Sequence, residues 1–346
     1  MSASSYEYEL AASGIEPLRF SQINLGPTSY DDAPAWREIQ GFFPSQWQIP
    51  PSEQPEEVTY DWRGCSIHVD SYQNSASPVR LIMLHGLGTN ARIMSMVAGH
   101  ALARLGFEVS AIDMPYVGAT RAPHRRFRYT DWVQLVSDYI NADHGRDKRP
   151  VILFGFSVGG MLSYDVSCIN HRVAGVCGTS FIDLSQQKVR REIAPNPDWS
   201  MMMERIGSFV LSCGFKPNIP LKTFASPATI SNEPRLNEVL TSDPGSLGGM
   251  FPLAFLDSLR WHKPAIAPAC FDLCPVALFQ PELDYNIPPA TNAGFIQRIA
   301  GKTETTVLPA AGHIPLNFEA LQMLADNIAS FATRCADRQA NCQPSQ

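Results

Sequence analysis

The sequence predicts an α/β fold: a mostly parallel central sheet flanked by helices, with a helical cap inserted between two parts of the sheet. Three observations predict it. From about residue 56 to 183, apolar runs of strand length alternate with amphipathic segments. Over residues 184–268 that rhythm breaks, and helical patterns follow one another without intervening strands. It resumes from 269 to about 335. Strands alternating with helices imply parallel pairing through right-handed crossovers. An insertion at that point lies over the carboxyl ends of the strands, where open α/β sheets bind ligands.

Residues 1–55 are polar and punctuated by proline, and read as an N-terminal extension partly ordered by Trp36, Phe42, Phe43 and Trp47. "EVTYDW" and "CSIHVDSY" flank Arg63-Gly64, a two-residue hairpin signal with positive φ expected only at the glycine. "VRLIMLHG" is continuously apolar, as suits a strand covered on both faces. A helix over Ala91–Leu105 and the strand "FEVSAIDMP" follow. Trp132, Leu135, Val136 and Ile140 recur at helical spacing, with Thr130 or Asp131 as the expected N-cap. Then come the strand "PVILFGF", the helix "VGGMLSYDVSC" and the strand "VAGVCGTSFID". The insertion contains the helical patterns "DWSMMMERIGSFVL", "NEPRLNEVL" and "GGMFPLAFLDSL". "CPVALFQ", a helix over 289–299, "TETTVLPA" and the closing helix "NFEALQMLADNIASFA" complete the pattern, leaving 336–346 as a tail.

Bulk properties exclude several functions. The 346 residues carry a net charge of −6 and no long Lys/Arg run, so nucleic acid is not an expected partner. The basic stretch "RAPHRRFR" (121–128) reads as a solvated loop rather than an anion site. "MSASSYEYELAASGIEPL" lacks the basic and apolar regions of a secretory signal. No apolar stretch reaches the ~20 residues that span a bilayer. The eight cysteines are scattered without a CxxC pair, and Cys270 and Cys274 have no histidines nearby to make a zinc site. They read as reduced, packed thiols of a cytoplasmic protein. No metal or cofactor is called for, and a homodimer is compatible with the sequence.

The chemistry begins at "VILFGFSVGGML" (151–162). Gly155-Phe156-Ser157-Val158-Gly159 stands between a strand and a helix, the context in which a serine occupies a sharp strained turn with its hydroxyl presented as a nucleophile. A serine hydroxyl is a weak nucleophile and needs a base and an orienting acid. Among eight histidines, His313 alone combines a late position, a strand-end loop and small neighbours; His85 is expected to brace its own loop. After the strand "PVALF", Asp284 is the favoured acid, Glu282 the reserve, and Asp183 a weaker substitute. Glycines in "HGLG" (85–88) free backbone N–H groups, so Leu87 and Val158 are the expected oxyanion donors.

Together, "LHGLG", "GFSVGG", "LDYNIPP" and "AAGHIPL" resemble the α/β-hydrolase superfamily over about residues 56–335, in particular its capped serine esterase, lysophospholipase and monoacylglycerol-lipase-like branches. The resemblance implies Ser157 as nucleophile, His313 as base, Asp284 as acid, and Leu87 with Val158 as the oxyanion hole. It departs from the pattern at Pro281, where the family usually has glycine, and at "MPYVGAT" (114–120), where it often has R-G-H-G-x-S. A serine at 157 excludes the aspartate-nucleophile branches. The implied reaction is cleavage of a carboxylic ester with an apolar acyl or alcohol part, on a small-molecule ester or lipid. Acyl transfer, C–C bond hydrolysis and non-catalytic ligand binding are the alternatives. Phe156, Met202, Phe209, Met250 and Phe255 are the expected pocket residues.

Overall fold

Ten strands are assigned in the computed structural model, which describes residues 29–342 except 123–125, 143–146, 195 and 225–226. His124 and His144, the start of the N-terminal extension and the last four residues of the tail lie outside the described residues, as does the side chain of Cys342. In chain order the strands are β1 (Glu56–Trp62), β2 (Cys65–Tyr72), β3 (Arg80–Leu84), β4 (Glu108–Ile112), β5 (Val151–Gly155) and β6 (Val173–Gly178), then β7 (Asn218–Pro220), β8 (Met250–Pro252), β9 (Val276–Pro281) and β10 (Thr303–Leu308). Eight of them form one sheet in the order β1-β2-β4-β3-β5-β6-β9-β10. The β1–β2 and β2–β4 pairs are antiparallel, and every other neighbouring pair is parallel. Strands β3, β5, β6 and β9 are buried along their whole length. Continuous apolar runs take this position because helices cover both faces of the sheet.

Between β6 and β9 the chain forms the helices Gln187–Ile193, Pro197–Ser212, Pro234–Ser242 and Leu253–Trp261. The expectation of helices alone is corrected here: β7 and β8 pair as a small antiparallel sheet. Four further details differ from expectation. Both hairpin residues have positive φ, 50° at Arg63 and 78° at Gly64, as a right-twisted two-residue turn requires. The Arg63 guanidinium lies 4.6 Å over the Trp62 ring. The helix Tyr129–Ala142 begins before Thr130, so neither Thr130 nor Asp131 is its N-cap. Asp131 instead reaches back and accepts the Arg128 N–H at 2.7 Å, half of a capping box. Lastly, the helix after β3 is broken by a π-helical turn at Ser95–Gly99, and the closing helix runs from Phe318 to Cys342. No helix among the described residues is long and apolar enough to cross a membrane. The seven cysteines with described side chains form no disulfide with one another, and Cys213 and Cys270 are exposed.

Residues 29–55, ahead of β1, pack against the core rather than trail from it. Tyr30, Trp36, Phe43 and Trp47 are buried, and Phe42 is partly so. The Trp47 indole donates to the Met96 carbonyl at 2.9 Å. Tyr30 donates its hydroxyl to Asp113 at 2.9 Å and closes a buried charge cluster. In it, His68 stands 3.0 Å from Asp113 and 3.1 Å from Glu57, while Arg92 donates to Asp70 at 2.7 Å and Glu57 at 3.1 Å. Burial opposes a charged His68 ring, but the Asp113 and Glu57 carboxylates outweigh it and push its pKa up to about 10 from the ordinary 6.5. A value higher in the folded than in the unfolded chain gives stabilisation that is complete below about pH 6.5 and disappears as pH rises through about 10. Urea midpoints are therefore expected to fall across that interval, and His68→Gln to flatten the decline. A wild-type profile without that decline rejects the charged assignment.

Candidate active site

The four strand-end loops picked out from the sequence converge at the carboxyl edge of the parallel strands, following β3, β5, β9 and β10. Ser157 stands two residues past the end of β5, and Leu84 at the end of β3 pairs with Gly155. The chain reverses at Ser157 with φ 55° and ψ −125°, a strained conformation for a residue with a side chain. The turn is tight enough that a methyl at Gly159 would overlap the Leu84 carbonyl, and one at Gly160 the Ser180 carbonyl. A methyl at Gly86 would stand 2.7 Å from Ser157 Cβ, so the loop after β3 also runs against the serine. The Ser157 N–H donates to Thr179 Oγ1 at 3.2 Å, which pins the turn to the loop after β6.

His313 follows β10 and is fully buried. Its Nδ1–H donates to Asp284 Oδ2 at 2.9 Å. The other Asp284 oxygen accepts the N–H groups of Asn286 and Ile287 at 2.9 and 2.7 Å, which holds the carboxylate in one orientation. Of the three acids considered, Asp284 alone pairs with His313. Glu282 accepts the Ala310 N–H instead, and Asp183 accepts from Ser185 and Gln186. His313 Nε2 is buried without a hydrogen-bond partner among the described residues. The His313 ring packs 5.2 Å from the ring of Phe156, the residue before Ser157.

In the loop after β3, His85 Nδ1–H donates to the Gly86 carbonyl at 2.8 Å, and its Nε2 accepts the Met114 N–H at 3.0 Å. Burial lowers its pKa, so the ring stays neutral in this bracing arrangement. The Gly86 N–H donates to Thr89 Oγ1 at 3.1 Å, and Asn90 caps the following helix by accepting the Ile93 N–H at 3.0 Å. Leu87 and Val158 both border the cavity that holds Ser157. Val158 opens the helix Val158–Ile169, whose N-terminal N–H groups favour negative charge.

The cavity measures about 690 Å³ and is walled by strand-end loops on one side and by the helices between β6 and β9 on the other. None of the five expected pocket residues borders it. Phe156 is buried beneath His313. Phe255 is buried against Trp132, 4.6 Å between rings, and Met250 belongs to β8. Met202 and Phe209 are exposed on a different face of their helix. The wall is formed by Trp199, Met203, Ile206 and Val210, spaced i, i+4, i+7 and i+11 along one helical face. That periodicity was the signal available in the sequence. Arg190, Glu204 and Arg260, also in the wall, had none, because the insertion alone brings them together. No group of three or more potential metal-ligating side chains occurs among the described residues.

Comparison with solved structures finds the same architecture repeatedly. A soluble variant of monoglyceride lipase from Saccharomyces cerevisiae, in complex with a substrate analog, superposes with a TM-score of 0.63 at 17% identity, covering 81% of this chain and 96% of that one. The monoacylglycerol lipase of Paleococcus ferrophilus gives 0.61 at 17% identity, covering 78% and 99%. The α/β hydrolase GrgF from Penicillium sp. sh18 gives 0.61 at 16% identity, covering 82% and 99%. No curated protein matches at the level of sequence. The family model for the alpha/beta hydrolase family matches residues 81–326. With that span enclosing the loops after β3, β5, β9 and β10, the chain belongs to the alpha/beta hydrolase family.

Proposed function

We propose that the protein is a serine hydrolase that cleaves a carboxylic ester with an apolar acyl or alcohol part, with Ser157 as nucleophile, His313 as base and Asp284 as acid. One observation carries this reading: a buried imidazole, oriented by a carboxylate at 2.9 Å, has its second nitrogen unpaired and its ring packed against the residue before the strained Ser157. Such a nitrogen is the acceptor a serine hydroxyl needs, and catalytic hydrogen bonds of this kind commonly close only when substrate is bound.

In the first step Ser157 Oγ attacks the ester carbonyl carbon while His313 Nε2 takes its proton. The carbonyl oxygen, now negative, is stabilised by the backbone N–H groups of Leu87 and Val158, for which no acceptor is found among the described residues. The C–O bond breaks as His313 returns the proton to the leaving alcohol, leaving an acyl group on Ser157. Water, deprotonated by His313, repeats the attack and frees the acid. The helical segment between β6 and β9 acts as a cap over the site, and its apolar wall suits an acyl chain.

A fluorophosphonate probe is expected to label wild-type protein stoichiometrically at Ser157 and Ser157→Ala not at all, with p-nitrophenyl ester turnover lost in the same variant. Absence of labelling would leave a ligand-binding protein on a hydrolase scaffold as the better reading. Labelling without ester turnover, but with transfer of an acyl group to an added alcohol or thiol, would favour acyl transfer.

A further inference from the structure

The cavity wall is mostly apolar but carries one charged group, in which two arginines share a carboxylate. Arg190 and Arg260, both more than nine-tenths buried, border the cavity with Glu204. One oxygen of Glu204 stands 3.3 Å from Arg190 Nε and 3.5 Å from Arg260 Nε, so a single carboxylate serves two guanidiniums. Arg190 is immobilised: it donates to the carbonyls of Leu184 and Ser185 at 2.7 and 3.1 Å and lies 4.8 Å over the Trp261 ring. Arg260 differs. Its guanidinium lies 5.9 Å over the ring of Phe224, which also borders the cavity, and its five N–H groups make no hydrogen bond among the described residues. Its second carboxylate neighbour, Asp257, is 3.8 Å away, and the nearer Asp257 oxygen already accepts from Ser208 and Trp261 at 3.2 Å each. Burial, with Arg190 beside it, works against the Arg260 charge, while Glu204 and Asp257 support it. A largely buried guanidinium whose N–H groups make no hydrogen bond gains from any acceptor that reaches it.

We propose that this end of the cavity binds a carboxylate at the far end of the substrate, so that the ester carried to Ser157 is an ω-carboxy acyl ester rather than a neutral lipid. The proposal rests on Ser157 as the reacting group for its assignment of the two ends. The planar fork of Arg260 matches a carboxylate, with Arg190 supporting from behind the shared Glu204.

The test separates binding from chemistry by using Ser157→Ala protein. Calorimetry compares monomethyl esters of short, medium and long linear dicarboxylic acids with the corresponding dimethyl esters. At the best-fitting length the half-ester is expected to bind at least about tenfold more tightly than the diester, the advantage a charged hydrogen-bonded pair confers. Adding Arg260→Gln is expected to abolish that preference while diester affinity stays within about twofold, and Arg260→Lys to restore only part of it. Thermal unfolding checks that each variant is folded. Equal affinities for the two series, no binding by either, or a preference that survives both Arg260→Gln and Arg190→Gln overturns the proposal. A fluorophosphonate-labelled wild type with no half-ester preference would leave the hydrolase reading standing and remove this one alone.

Discussion

Asp284→Asn is expected to lower kcat/KM for any ester the protein cleaves by about 10⁴-fold, the scale on which loss of the acid acts in serine triads. The argument lies in which oxygen is committed. Asp284 Oδ1 accepts two backbone N–H groups, from Asn286 and Ile287, and only an oxygen can do so. An asparagine must therefore keep its carbonyl there and turn its amide NH₂ toward His313 Nδ1. Both atoms would then be donors, unless the imidazole proton moves to Nε2. That move removes the lone pair with which Nε2 takes the serine proton, so the base is lost without disturbing the fold. Circular dichroism and the urea midpoint are expected to change little, while turnover collapses. Glu282→Gln supplies the contrast, since Glu282 is engaged with the Ala310 N–H and its replacement is expected to change turnover by less than about threefold. Retention of full activity in Asp284→Asn would exclude the proposed acid.

Gly160→Ala is expected to destabilise the protein by about 3 kcal/mol or more, or to prevent folding. The added methyl would overlap the backbone carbonyl of Ser180, and backbone held in a packed sheet edge cannot move aside as a side-chain tip can. Ser180 lies in the loop after β6 and Gly160 in the first turn of the helix after β5, so relief would require separating two adjacent strand ends. Gly294→Ala is the control. It lies in the helix Pro289–Ile296, where nothing approaches the added methyl within 4 Å, and alanine's better helix propensity is expected to stabilise by up to about 1 kcal/mol. Urea denaturation of both variants against wild type checks the pair. A midpoint for Gly160→Ala equal to that of wild type would mean that the turn is looser than its geometry requires.

The difference between those two glycines also explains what the sequence discloses. A strand covered on both faces is apolar along nearly all its length, so β3, β5 and β6 stand out as "RLIML", "VILFG" and "VAGVCG", with Arg80 at the start of β3 the one charge. A backbone crossing that excludes side chains must use glycine, so the turn at Ser157 is legible as well. His313 and Asp284, the proposed base and acid, are legible because functional groups on such a sheet are expected after particular strands. The cavity wall obeys no comparable constraint. The helix Pro197–Ser212 has large apolar residues on more than one face, with Phe209 68% exposed, so hydrophobicity alone does not mark the lining side. Strands β7 and β8 have three residues each and end in proline, too short to show alternation. Arg190 and Arg260 meet through tertiary packing that no local pattern encodes.

His313 follows β10, the outermost strand at its end of the sheet and the last to be synthesised. Under the proposed mechanism a nascent chain displays the reactive hydroxyl long before the imidazole exists. On that mechanism, catalytic competence dates from the moment the terminal strand takes its place at the border.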